Sequence, residues 1–238
     1  MLQQTKGITL KVTNYSESSV VVQIYTEQLG LQSYLINGAR KPKAKISVNM
    51  LQPFHLLDLV VYQKENNALQ RIKEAQHTPV LKTIPLDIVK SSIALFLNEV
   101  LYKVLRHQSQ DRHLFQFLEH AIIWLDEAED GLANYHLIFL LKLSHYLGFK
   151  PAISKDPYFD LVEGRFSKQL PAHVYTLQEP YSSYLRDLAN SSFSDCNNVR
   201  LKREDRSYLL QKLVDYYRLH TENFGELNSL YILEEIFS

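Results

Sequence analysis

The sequence predicts an α+β protein: a small, strongly curved five-stranded β-barrel at the front, followed by an α-helical bundle. Three observations carry this. β-Branched and aromatic residues gather in short runs between polar turn clusters over roughly the first 80 residues. After Pro85 the apolar period changes to that of a helix. The 238-residue chain, 45% hydrophobic and 22% charged, has no low-complexity segment and can bury a sizeable core. The change of period divides it into 1–80 and 81–238.

"GITLKVTNY" and "SSVVVQIYT", joined by the turn cluster "NYSES", form a hairpin. "EQLG" then turns the chain into "LQSYLING", where Leu31, Ser33, Leu35 and Asn37 share one face and Gln32, Tyr34, Ile36 and Gly38 the other. Beyond a basic loop, "FHLLDLVVYQK" and "ALQRIKEAQHT" supply strands four and five on either side of a polar turn at "ENN", residues 65–67. Five such strands without an intervening long helix suit a barrel.

The first helix spans "PLDIVKSSIALFLNEVLYKVLRH", with Pro85 in its first turn. A second covers Asp111 to Glu127, with Leu114, Phe117, Leu118, Ala121, Ile122 and Leu125 at three- and four-residue spacings. A third runs from Leu132 to Leu147 and stops at "LGFKP". Residues 151–180 read as an irregular insertion. After the linker-like "NSSFSDCNN" come two more helices, Arg203 to Thr221 and Glu226 to Phe237.

Composition excludes several function classes. The amino terminus lacks an apolar signal core and no apolar run approaches the roughly 20 residues of a membrane span, so a cytoplasmic protein without membrane contact is expected. The one cysteine, Cys196, cannot build an internal disulfide framework or a cysteine zinc site and reads as an ordinary thiol in a polar loop. No GxSxG, GxxxxGK, HExxH or GxGxxG pattern occurs. The nine histidines show no ligand spacing, "DEAEDG" at 126–131 reads as a solvated helix end, and Tyr208, Tyr216 and Tyr217 as helix core. The expectation is a non-enzyme with no metal and no cofactor.

Charge is more informative. The chain carries 26 basic and 26 acidic residues, yet residues 1–82 hold ten Lys or Arg against five acids, a net of +5, which leaves −5 for the remainder. Within "NGARKPKAKISVNMLQPF" stand Arg40, Lys41, Lys43 and Lys45 and no acid. Such a loop is either a solvated turn or the footprint of an anionic partner. Cations for phosphates and rings for bases are what a single-strand-binding barrel requires. Lys11 supplies a further cation, and Tyr15, Tyr25, Tyr34, Phe54 and Tyr62 are the rings on offer. The candidate DNA-binding set is Arg40, Lys41, Lys43, Lys45, Lys11 and Tyr34.

The stretch "TKGITLKVTNYSESSVVVQIYTEQLGLQSYLINGARKPKAK" resembles the start of the bacterial RecO recombination mediators. Tyr15, Glu17 and Ser19 match a "YxExS" turn, Tyr25, Thr26 and Gly30 a "(Y/F)TxxxG" turn, and Gly38 and Arg40 a "xxGxR" strand end; "LQPF" at 51–54 matches the entry to the fourth strand. "RSYLLQKLVDYYRLHTENFGELNSLYIL" is similar to the family's last helices. The resemblance implies an OB-type barrel, then a helical domain. It implies binding of single- and double-stranded DNA, strand annealing, and loading of RecA with RecR in the bacterial cytoplasm at the nucleoid. It also implies contact with the C-terminal tail of the single-stranded-DNA-binding protein. For that tail the helix "VRLKREDRSYLLQK" offers a groove of Arg203, Arg206, Leu209, Lys212 and Leu213. Many members carry a four-cysteine zinc module near "FDLVEGRFSKQLPAHVYTLQEPY"; those cysteines are absent here, so no zinc is expected. The competing reading is a protein-interaction adaptor in a repair complex with little direct DNA binding.

Overall fold

The computed structural model describes residues 1–64 and 68–237, so the turn expected at 65–67 lies outside the described residues. Strands β1 (Leu2–Asn14), β2 (Val20–Thr26), β3 (Gly30–Ile36), β4 (Leu56–Tyr62) and β5 (Arg71–His77) form one antiparallel sheet in the order β3-β2-β1-β4-β5. The long β1 pairs through its first half with β4 and through its second half with β2. Gly7 lies where both pairings overlap, and a Cβ there would stand 2.5 Å from Ile24 Cγ2 and 2.9 Å from Leu59 Cδ1, so only glycine fits.

Alternate residues of β2, β3 and β4 turn inward: Val20, Val22 and Ile24, then Tyr34 and Ile36, then Leu57, Leu59 and Val61, joined by Ala39, Ile46 and Leu51 from the β3–β4 connection. The closed barrel that the sequence predicts does not form. The sheet is OB-like, but among the described residues β3 meets the residue preceding β5 through one parallel bridge, Tyr34 to Gln70, and no continuous ladder joins the two strands. The sequence of β5, "RIKEAQH", offers only Ile72 and Ala75 to the interior, which leaves it little apolar surface with which to seal the gap.

Helix α1 (Ile88–Val104) begins later than Pro85, because the Asp87 carboxylate accepts from the N–H groups of Val89 at 2.8 Å and Lys90 at 3.0 Å and so fixes the first turn. Asp111 does the same for α2 (Arg112–Glu127). Both helices pack on the sheet: Asn98 Nδ2 of α1 donates to Leu10 O at 2.7 Å, and Phe115 of α2 stacks on Tyr25 with centroids 6.2 Å apart. By its contacts the chain divides into Met1–Glu127 and Ala128–Ser238.

The acidic run at 126–131 is not wholly the solvated helix end that the sequence predicts. Asp126 is not solvated; it is buried, and its carboxylate accepts from the backbone N–H groups of Lys82, Thr83 and Ile84, each at 2.8 Å. It thereby ties the segment after β5 to the last turn of α2.

The second unit is built around α3 (Leu132–Tyr146), which is buried from Asn134 to Leu141 and so has neighbours on nearly every side. Helices α4 (Tyr181–Asn190), α5 (Arg203–His220) and α6 (Leu230–Ile236) complete the helical part. The insertion at 151–180 contains a small sheet of β6 (Tyr158–Asp160), β7 (Arg165–Ser167) and β8 (Thr176–Leu177) in the order β7-β6-β8. Helix α4 has no counterpart in the sequence reading, because "YSSYLRDLAN" buries only Ser182, Leu185 and Leu188 and lacks a wide apolar stripe. The stretch expected as a linker at 190–198 is instead packed: Phe193 and Cys196 are buried, and burial, with Asp195 beside it, pushes the Cys196 thiol up to about 12.

Candidate nucleic-acid interface

The connection after β3 is a compact ledge, not a slack loop. Gly38 adopts φ +71, a conformation that L side chains rarely take, and sets the first turn, in which Lys41 N–H donates to Gly38 O at 3.0 Å. Val48 N–H bridges the base of the loop to Ala39 O at 3.1 Å. Ala39 and Ile46 plug into the sheet core at either end. With the anchors apolar and the intervening residues polar, Arg40, Lys41, Lys43 and Lys45 all project into solvent.

No ion pair engages any of these four cations among the described residues. Elsewhere in the same unit positive charge is committed: Lys6 Nζ lies 2.7 Å from Glu119 and Arg112 Nε 3.1 Å from Glu27. The loop is therefore a patch of cations free of ion pairs among the described residues, on a base anchored in the sheet core.

The rings sort differently from expectation. Tyr34 is fully buried in the sheet core and cannot stack on a base; burial pushes its phenol far above the ordinary tyrosine value. It falls on the inward face of β3 with Ile36, as the period of two dictates. Tyr25 and Phe54 are buried too, whereas Tyr15 is 61% exposed and Tyr62 41%. Tyr15 sits at the β1–β2 turn, and that turn is tied to the basic loop by Arg40 N–H donating to Ser18 O at 3.2 Å. Exposed ring and free cations thus share one edge of the sheet.

Lys11, the remaining candidate, is exposed on β1, with Nζ 4.6 Å from the centroid of Tyr102 on α1. A groove of about 610 Å³ also opens on the unit, but Glu27, Asp58 and Glu74 line it beside Lys6 and Lys45, a mixed field unsuited to a polyanion.

In the second unit the expected peptide groove is not assembled as drawn. Leu209 and Leu213 are buried core, and Lys212 lies 3.9 Å from Asp215 with its Nζ 5.6 Å from the Tyr208 centroid. Helical phase is the reason: positions 209 and 213 turn into the core, while Arg203, Arg206, Ser207 and Leu210 turn toward α6. With His136, Leu233, Glu234 and Phe237 those four line a cavity of only about 20 Å³. Arg206 is held there, donating from Nε to Asn134 Oδ1 at 3.1 Å and packing over the Phe237 ring at 5.8 Å. Among the described residues no group of three His, Cys, Asp or Glu could hold a metal, and the 151–180 segment, lacking cysteine, does not fit a thiolate zinc site. Its small sheet is fastened instead by Arg186, whose Nε donates to Ser154 O at 2.7 Å and whose guanidinium covers Phe166 at 4.8 Å.

The family model described as recombination protein O N terminal matches residues 1–79, and that described as recombination protein O C terminal matches residues 85–230. The chain belongs to the RecO family. Among its RecO relatives, the DNA repair protein RecO of Bacteroides fragilis is 36% identical over 241 residues, covering all of both chains. That of Phocaeicola vulgatus is also 36% identical over the full length of both, and that of Flavobacterium psychrophilum is 34% identical over 99% of each. The boundary between the two RecO regions falls just after β5, whereas the compact units divide after α2, because α1 and α2 fold against the sheet. Among the described residues no helix is long and apolar enough to cross a membrane.

Proposed function

We propose that this chain is a DNA repair and recombination mediator. On this reading it binds single- and double-stranded DNA, anneals complementary strands, and acts with RecR to load RecA onto strands coated with single-stranded-DNA-binding protein. The observation that carries the reading is the ledge of Arg40, Lys41, Lys43 and Lys45: four exposed cations without ion-pair partners among the described residues, on a core-anchored base, in a chain of zero formal net charge. Family membership and the names of the relatives support it. Annealing by such a protein needs no covalent chemistry. Cations displace the counterions that keep two polyanions apart, and base pairing supplies the free energy.

The test is annealing of complementary oligonucleotides, bare and coated with single-stranded-DNA-binding protein. Acceleration on both is expected; failure on both would overturn the reading. The tail of the coating protein is proposed to engage Arg203 and Arg206, with Phe237 displaced from the cavity they line. Loss of tail-peptide binding in Arg206→Ala is expected, and undiminished binding would move that contact elsewhere. The adaptor reading draws on the mixed-charge groove beside β4 and β5. It predicts tight protein binding with little DNA retained at moderate salt.

A further inference from the structure

By the alternation of a strand, Thr9 and Lys11 would share a face of β1. They do not. Thr9 pairs with Ile24 and Lys11 with the adjacent Gln23, so Leu10 is an extra residue in the ladder. Ile24 points into the sheet core, and the bulge therefore moves Lys11 to the opposite face, out of the interior that its spacing from Thr9 would have given it. Asn98 of α1 holds the bulge by donating to Leu10 O at 2.7 Å.

One helical turn beyond Asn98 stands Tyr102, and one turn beyond that Arg106, so the three form a row along α1 and the short 3-10 turn that follows it. Lys11 Nζ lies 3.4 Å from the Tyr102 hydroxyl and 4.6 Å from its ring centroid; the Arg106 guanidinium carbon lies 4.3 Å from the same centroid. Two exposed cations from different elements are thus gathered on one phenol ring, against their mutual repulsion. Burial by itself would raise the phenol's pKa, but its hydrogen bonds to Arg106 and Lys11 and their charges outweigh this and hold it below the ordinary tyrosine value.

We propose that Lys11, Tyr102 and Arg106 form a phosphate-binding site for the backbone of single-stranded DNA, second to the β3–β4 ledge, with Tyr102 the positioning residue that holds both cations in place. The proposal rests on the DNA-binding reading above and extends the footprint from the sheet onto α1. Lys11 Nζ donates to the phenol oxygen while the Arg106 guanidinium covers the ring; a phosphate oxygen would replace the phenol oxygen as the acceptor from Lys11, with Arg106 closing on the same phosphate.

The experiment is a salt titration of oligonucleotide binding by the full chain. Each phosphate contact on a single strand contributes about 0.7 to the slope of log affinity against log salt, so Lys11→Ala with Arg106→Ala, which removes one phosphate contact, should flatten the slope by about 0.7. Lys73→Ala, which removes a surface charge elsewhere, should leave it unchanged; an equal flattening there would reduce the effect to net charge and overturn the site. Tyr102→Ala keeps the net charge and is expected to weaken binding at fixed salt roughly two- to fivefold, with substantial recovery in Tyr102→Phe, which retains the ring. A wild-type slope in the Lys11/Arg106 double variant, with binding still dependent on the ledge, overturns this site alone. Absence of binding by the wild-type chain overturns the DNA-binding reading together with it.

Discussion

Replacing Asp126 by Ala should destabilise the first unit by about 3–5 kcal/mol. The carboxylate accepts from three successive backbone N–H groups, those of Lys82, Thr83 and Ile84. Bonds to a charged acceptor contribute about 1.5–3 kcal/mol each, but water can serve part of the Lys82 and Thr83 donors after truncation, which brings those two to about 1 kcal/mol each. The Ile84 bond is buried, and its orphaned N–H would forfeit a further 1–3 kcal/mol or so. In a domain of this size the melting temperature should fall by roughly 10 °C. Asp126→Asn keeps the volume and one acceptor oxygen and should lose about half as much. The single tryptophan, Trp124, lies on α2 in the same unit, so its fluorescence during urea unfolding reports the change directly. Acid supplies a second signature. Burial would raise the Asp126 pKa, but the N–H donors of Ile84, Lys82 and Thr83 outweigh it and hold it below the usual carboxylate value. A carboxylate depressed on folding contributes stability that is complete above its unfolded pKa of about 3.9 and is lost as pH falls through the folded value. Wild type should therefore lose stability below about pH 4 more steeply than Asp126→Asn. An Asp126→Ala variant within about 0.5 kcal/mol of wild type would refute the reasoning.

Replacing Arg40, Lys41, Lys43 and Lys45 together by Ala should flatten the salt slope for single-strand binding by nearly 3, so that the ledge accounts for about a fiftyfold loss of affinity between 50 and 200 mM salt; an unchanged slope would remove it from the interface. Tyr34→Phe deletes a buried hydroxyl with no hydrogen-bond partner among the described residues, so stability by denaturant titration should hold or rise by up to about 1 kcal/mol and DNA affinity should not change; a fall in affinity would restore Tyr34 to the interface. His136, on α3, is held neutral first by burial and then by the charge of Arg206, with its pKa lowered to about 3. The unfolded chain takes up that proton below about pH 6.5, so stability should decline by about 1.4 kcal/mol per pH unit from there toward pH 3, and His136→Gln should flatten the decline in helix content measured against denaturant.

The order of elements was legible in the sequence because it depends on local physics. β-Branched runs with a period of two form β1 to β4, and wide apolar stripes form α1, α2, α3 and α5 within a few residues of their expected limits. The basic loop was legible too, since an acid-free run of four cations needs no partner to be noticed. Helix limits shifted where a cap decided them, as Asp87 does for α1, and α4 escaped notice because its contacts come from Leu185, Leu188 and a buried serine instead of an apolar stripe.

What the sequence could not rank was direction. Tyr15 and Tyr34 are the same residue type in the same small domain, yet one is 61% exposed and the other fully buried, because Tyr15 stands in the β1–β2 turn while the register of β3 turns Tyr34 into the core. Asp126 looked like one of several solvated acids until the turn at 82–84 placed three N–H groups around it. Lys11 is the sharpest case. Periodicity alone sends its side chain into the core with Thr9, and only a one-residue bulge, held by an asparagine 88 positions away, turns it outward to Tyr102. Composition and period determined that this chain folds as a curled sheet followed by helices and carries a positive front; long-range pairing alone decided which charges and rings face out, since side-chain direction depends on partners far away in sequence.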